Sequence, residues 1–146
     1  MRGGFVHNRV LVARLDAAFR AVGATTLLEC PTGAGIPRGF VDIFATKNGV
    51  RVVCEAELRA NRVDLAVHKA MELDADYLLL VAPNGRTARA IRARLARAGP
   101  TPGTETPRQF ILTLGQAIQW VTNCFPLLTS TNRPSPAKER SSCRGS

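Results

Sequence analysis

Phe40-Val41-Asp42-Ile43-Phe44 and, a few residues on, Arg51-Val52-Val53-Cys54-Glu55-Ala56-Glu57 decide how this chain is read. Both stretches are rich in β-branched and aromatic residues, which favours strands. A strand places residues i and i+2 on one face, so Glu55 and Glu57 project together, on the face shared by Arg51 and Val53. Lys47-Asn48-Gly49 and their neighbours are all that separates the strands, which predicts a tight antiparallel hairpin with Asp42 beside the two glutamates. Three gathered acids repel one another unless a proton or a cation offsets them. Mg²⁺ (or Mn²⁺), a hard oxygen-seeking cation, is the simplest tenant.

The bulk properties frame that pocket. At 146 residues and 45% hydrophobic content, the chain is expected to form one domain over residues 1–125. Residues 126–146 turn to Ser, Pro, Thr and Arg and read as a disordered basic tail. No apolar run approaches the roughly 18 residues of a membrane span. No long apolar stretch follows the first basic residue, so neither a membrane segment nor a signal peptide is expected, and the cytoplasm is the default. The net charge is +9, of which the tail carries +3 and the body +6. A basic body around an acidic pocket suits a polyanion such as DNA, with the acids holding metal; an arginine-rich, merely solvated surface is the plain alternative. The four cysteines, Cys30, Cys54, Cys124 and Cys143, show no CxxC or CxxH spacing, which argues against zinc. Cys30 and Cys54 read as small core residues, and nothing argues for disulfides.

Periodicity predicts a helix over 6–22, with Leu11, Leu15, Ala18, Phe19 and Val22 on one face, then a strand over 25–30. The two acid-bearing strands follow. A second helix is expected over 61–73, a fully covered strand over 77–82, and a third helix over 86–98 with an arginine-rich side. A strand over 109–114 and a helix over 115–123, with Trp120 and Phe125 as packing, close the domain. The order implies an α/β fold, a mixed central sheet with helices on both faces.

This order, with Asp42 on the second strand and Glu55-Ala56-Glu57 ending the third, resembles the PD-(D/E)xK nuclease superfamily, the restriction-endonuclease-like fold that includes Holliday-junction-resolvase-like enzymes. The resemblance covers residues 5–82 as an αβββαβ core. It implies that Asp42 and Glu55 bind metal, with the backbone carbonyl of Ala56 as a further ligand. The third motif position, usually lysine, is Glu57 here. Three readings follow: a glutamate that still works as a catalytic group, a lysine displaced to the next helix with Lys69 as the stand-in, or lost catalysis. Family members often place a polar residue near the start of the first helix, where His7 or Asn8 is available here, Asn8 on the buried side.

The resemblance therefore implies a Mg²⁺-dependent endonuclease hydrolysing DNA phosphodiester bonds, with catalytic residues Asp42, Glu55, Glu57 and Lys69. Arg38, Arg59, Arg86, Arg89 and Arg97 are candidates for phosphate contacts. A homodimer would suit duplex cleavage. The alternative is a noncatalytic nuclease-like module that binds DNA or a partner, and a third reading is an unrelated α/β protein with incidental acids. The residues have plainer readings too: Glu57 as a solvated strand end, Lys69 as an ordinary surface lysine, the arginines as a solvated helix face.

Overall fold

The computed structural model describes residues 2–32, 39–56, 59–98 and 106–129. Among them the order is α1 (Arg2–Ala21), β1 (Thr25–Pro31), β2 (Phe40–Lys47), β3 (Val50–Ala56), α2 (Val63–Glu72), β4 (Tyr77–Val81), α3 (Gly85–Ala98), β5 (Arg108–Leu112) and α4 (Leu114–Asn123). This is the expected alternation, with shifted edges. Helix α1 begins at Arg2, ahead of its apolar periodicity, because Gly3 and Gly4 carry no side chain that could show it. The second helix begins as a 3-10 turn, Ala60–Arg62, and becomes α-helical only at Val63, since Arg62 at φ −112, ψ 5 lies outside the helical well.

The Asn48-Gly49 turn sets the geometry of everything that follows. Lys47 pairs with Val50, leaving two residues in the loop. Asn48 has φ 54 and Gly49 φ 79, the pair of left-handed conformations that a type I′ hairpin turn requires. The register then runs without a slip from Lys47↔Val50 to Ile43↔Cys54. A two-residue turn leaves no freedom in that register, so the turn dictates which side chains face each other along the whole hairpin.

One five-stranded sheet results, in the order β1-β2-β3-β4-β5. β1, β2 and β3 pair antiparallel, while β3, β4 and β5 pair parallel. The two parallel connections step in the same direction, so right-handed crossovers place α2 and α3 on one face of the sheet. The packing agrees. Val63, Ala66 and Ala70 of α2 and Ala88 and Ile91 of α3 share a core with Val53, Leu78 and Leu80. On the other face Leu15 and Phe19 of α1 and Ala117 and Val121 of α4 pack on Ile43, Val52, Cys54, Leu79 and Val81. Leu78 to Val81 are fully buried, as a strand covered on both faces must be.

Asn84 closes β4 and caps α3: its Oδ1 accepts the Thr87 N–H at 2.9 Å, satisfying a donor that the first helical turn leaves over. Asn84→Ala is expected to lower stability by about 1 kcal/mol, read as a shift of the urea midpoint with an unchanged slope.

Phe125 meets Phe19 edge-on with centroids 5.4 Å apart, and Trp120 stacks on Phe125 at 5.8 Å, so both expected packing residues do pack. The 3-10 turn Phe125–Leu127 and the packed Leu128 carry the domain across the expected boundary at residue 126. Cys30 is buried but disulfide-bonded, a correction to the expectation of no disulfides, whereas Cys54 and Cys124 are free thiols. Among the described residues no helix is long and apolar enough to cross a membrane.

Candidate active site

The hairpin register continued by one residue beyond Ile43↔Cys54 puts Asp42 opposite Glu55. The ladder lapses at this point. The Ala56 N–H donates to Asp42 Oδ2 at 2.8 Å, so a side chain enters the pairing between the strands. On the other side of Asp42 the β1–β2 pairing steps from Leu28↔Ile43 to Cys30↔Val41, skipping Glu29. Glu29 holds a left-handed φ of 51, a strain of about 1–3 kcal/mol for a residue with a side chain. Asp42 thus sits where the sheet is irregular on both of its sides, and the backbone there is shaped by side chains more than by the ladder.

Glu55 lies beneath α2, with a side chain only 8% exposed. Burial, and then the negative charge of Asp42, push its carboxyl up from the ordinary 4.5 to about 7, although Lys69 pulls the other way. Lys69 projects from α2 with its Nζ 3.0 Å from Glu55 Oε2 and is itself 12% exposed. The same ammonium donates to the Phe40 carbonyl at 2.7 Å. It forms a close ion pair with Glu55, the ammonium supplying Oε2 with both charge and a donor. Cys54, buried between these strands, has its thiol pushed well up, first by burial and then by Asp42 and Glu55.

The fold therefore brings together Asp42, Glu55, the Ala56 backbone and Lys69. Glu57, Arg38 and the side chain of Asn8 lie outside the described residues. Asp42 and Glu55 form a pair: among the described residues no group of three His, Cys, Asp or Glu side chains is positioned to hold a metal. The donor set is two carboxylates on adjoining strands, oxygen ligands of the kind a hard cation takes, with the Lys69 ammonium beside one of them.

Arg59, Arg86, Arg89 and Arg97 are all exposed, as is Arg62, and their side chains form no ion pair with a described residue. Two other arginines of α3 have structural employment. Arg94 pairs with Asp64 of α2 at 2.9 Å, and Arg92 donates to the Ile111 carbonyl at 3.0 Å. Because Ala56 and Val81 are paired at the ends of parallel strands, α3 starts at the same sheet edge as the acids, with Arg86 and Arg89 in its first turns.

Three features of the site carry no signal in the sequence: the Lys69 bond to Phe40, the Ala56 bond to Asp42, and the left-handed Glu29. A glutamate with positive φ inside a strand has no composition cue, and a bond spanning 29 residues has no local one. No protein-family model, curated protein or solved structure matches the chain.

Proposed function

We propose that this chain is a metal-dependent nuclease of the restriction-endonuclease-like kind, hydrolysing DNA phosphodiester bonds. The observation that carries the reading is the placement of Asp42 and Glu55 on adjoining strands with Lys69 3.0 Å from Glu55. The α-β-β-β-α-β order and the mixed sheet support it. Asp42 and Glu55 would hold Mg²⁺ or Mn²⁺, with the Ala56 carbonyl as a further ligand. The bound ion would neutralise phosphate charge and acidify a water. Lys69 takes the role of the displaced motif lysine: its ammonium is fixed by the Phe40 carbonyl, beside the carboxylates, where it meets a phosphate oxygen or orients the attacking water. Glu57 would complete the acid cluster. Arg38, Arg59, Arg86, Arg89 and Arg97 would contact the phosphate backbone, and a homodimer would cut both strands of a duplex.

A second reading is favoured by the same lysine. Its ammonium already offsets Glu55, so the pair could serve a noncatalytic DNA-binding module. Titration of Mg²⁺ and Mn²⁺ into wild type and Asp42→Ala by calorimetry, with linear and branched DNA incubated in parallel, separates the two. Metal binding and cutting by the wild type alone support the nuclease. DNA binding indifferent to EDTA, with nothing cut, supports the module. Light scattering giving a monomer mass at all concentrations would remove the dimer.

Arg86→Glu and Arg89→Glu are expected to weaken DNA binding without changing sequence preference. Each should also flatten the dependence of log affinity on log salt by about one unit, the signature of a lost phosphate contact. An unchanged slope would return these arginines to the role of a solvated helix face.

A further inference from the structure

Among the described residues no cation other than Lys69 pairs with Glu55. An ammonium has three donors. The Phe40 carbonyl takes one at 2.7 Å, and Glu55 Oε2 lies 3.0 Å away. Water reaches little of either side chain, with Lys69 at 12% exposure and Glu55 at 8%. A surface partner lies closer along the chain: Glu72 is one turn further on in α2, and it faces His68 at 3.9 Å. The lysine reaches into the sheet instead. There it meets the one carboxyl whose charge is opposed both by burial and by Asp42.

A divalent ion held by Glu55 would stand about 2.0–2.6 Å from an oxygen of the same carboxylate. Ammonium and ion would then be neighbours of like charge, with little water between them to screen the repulsion. The two compete for Glu55. Lysine is suited to giving way, since its charge rides on a flexible four-carbon stem. The Phe40 carbonyl keeps its hold on the head throughout, because that bond does not depend on Glu55. A phosphate oxygen of a bound strand offers the ammonium a charged acceptor in place of the carboxylate. Resting on the nuclease reading above, we infer that Lys69 is the resident counter-ion of the metal site, paired with Glu55 in the free protein and turning about the Phe40 carbonyl from that carboxylate to the phosphate when ion and DNA are bound. Metal and DNA then favour the same position of one side chain, so each tightens the binding of the other. The free protein takes up metal weakly and the DNA complex takes it up strongly, which assembles the cutting site on its substrate.

The test uses Ca²⁺, a hard oxygen-seeking ion, at pH 9, above the value of about 7 that the Glu55 carboxyl has in the fold, so that the proton is not the competitor. Calorimetry without DNA is expected to show Lys69→Met and Lys69→Gln binding Ca²⁺ about 5- to 150-fold more tightly than the wild type. Lys69→Arg, which keeps the charge, should stay near the wild type. Lys69→Gln can still donate to the Phe40 carbonyl and carries the test if Lys69→Met fails to fold. Labelled duplex DNA is then bound in saturating Ca²⁺ and in EDTA at matched ionic strength. Affinity is read by fluorescence anisotropy, and a gel of the same samples checks that the strands stay whole. Ca²⁺ should tighten DNA binding by the wild type at least about 5-fold more than binding by Lys69→Met, a difference that a lysine serving only the fold would not produce. Ca²⁺ binding by the neutral variants no tighter than by the wild type, or an equal gain in DNA affinity, overturns the inference and leaves the nuclease reading standing. Ca²⁺ binding by none of these proteins overturns both.

Discussion

Asp42→Asn is expected to lower metal-dependent cleavage about 10³-fold while leaving the fold intact. The change is nearly isosteric, and the amide oxygen of asparagine can still accept the Ala56 N–H that Asp42 Oδ2 accepts at 2.8 Å. On the proposed reading, what is lost is one of the two charges that would hold the divalent ion. A second readout moves in a direction that mere unfolding would not produce. The charge of Asp42 is one of the causes that raise the Glu55 carboxyl to about 7. In Asp42→Asn that carboxyl should titrate lower, visible in a carbon-detected NMR titration of the labelled glutamate. Asp42→Ala is the harsher variant, since it leaves the Ala56 N–H without this acceptor, at about 1–3 kcal/mol. Cleavage by Asp42→Asn at the wild-type rate would sink the nuclease assignment.

The second large effect is on stability. The unfolded chain holds Glu55 near its ordinary 4.5, whereas the fold raises it to about 7. Between those values the folded chain binds more protons than the unfolded one, so stability falls as pH rises from about 4.5 to about 7, and then levels off. For a side chain this deeply buried the loss is about 3 kcal/mol. Glu55→Gln should flatten that segment of the curve, measured as urea midpoints in metal-free buffers from pH 4 to pH 8. Lys69→Met should extend the decline to higher pH, because Lys69 is the first of the groups that pull the Glu55 carboxyl down. On the proposed reading Mg²⁺ would compete with the proton for the same oxygens, so at pH 8 it should raise the midpoint of the wild type and not that of Glu55→Gln. A Glu55→Gln curve with the wild-type slope would show that another group carries the pH dependence.

Taken together, these effects describe a site that works against the fold holding it. A carboxylate set under a helix and facing another carboxylate is costly for the fold, and a site of that kind is more often functional than structural. Lys69 offsets part of that cost through its charge, and the Phe40 carbonyl fixes where the charge sits.

Much of this was visible in the residues themselves. The apolar run Tyr77 to Val81 announced a covered strand, and the periodicities of α1, α2 and α3 announced helices, because burial on one or both faces demands those patterns. The pairing of Asp42 with Glu55 was visible as well, since Asn48-Gly49 is a turn with a single preferred length and conformation, and a turn of fixed length counts residues along both strands. The break before Val63 was hidden, because it depends on the backbone angles of Arg62, which no side-chain pattern reports. The division of labour among the arginines was hidden too: Arg86 and Arg94 look alike in the sequence, and only the approach of α2 gives Arg94 its partner, Asp64.

By itself, then, the sequence determined the order of elements, the hairpin, its register and the facing of the two acids, all of which rest on interactions between residues close in the chain. Tertiary structure alone decided that Glu55 is desolvated, that Lys69 reaches it, and that the same ammonium bonds the Phe40 carbonyl. Desolvation and reach depend on what packs over a residue, and here that is a helix carried to the sheet by a parallel crossover, whose position follows from the cores on both of its faces and from no local run of residues.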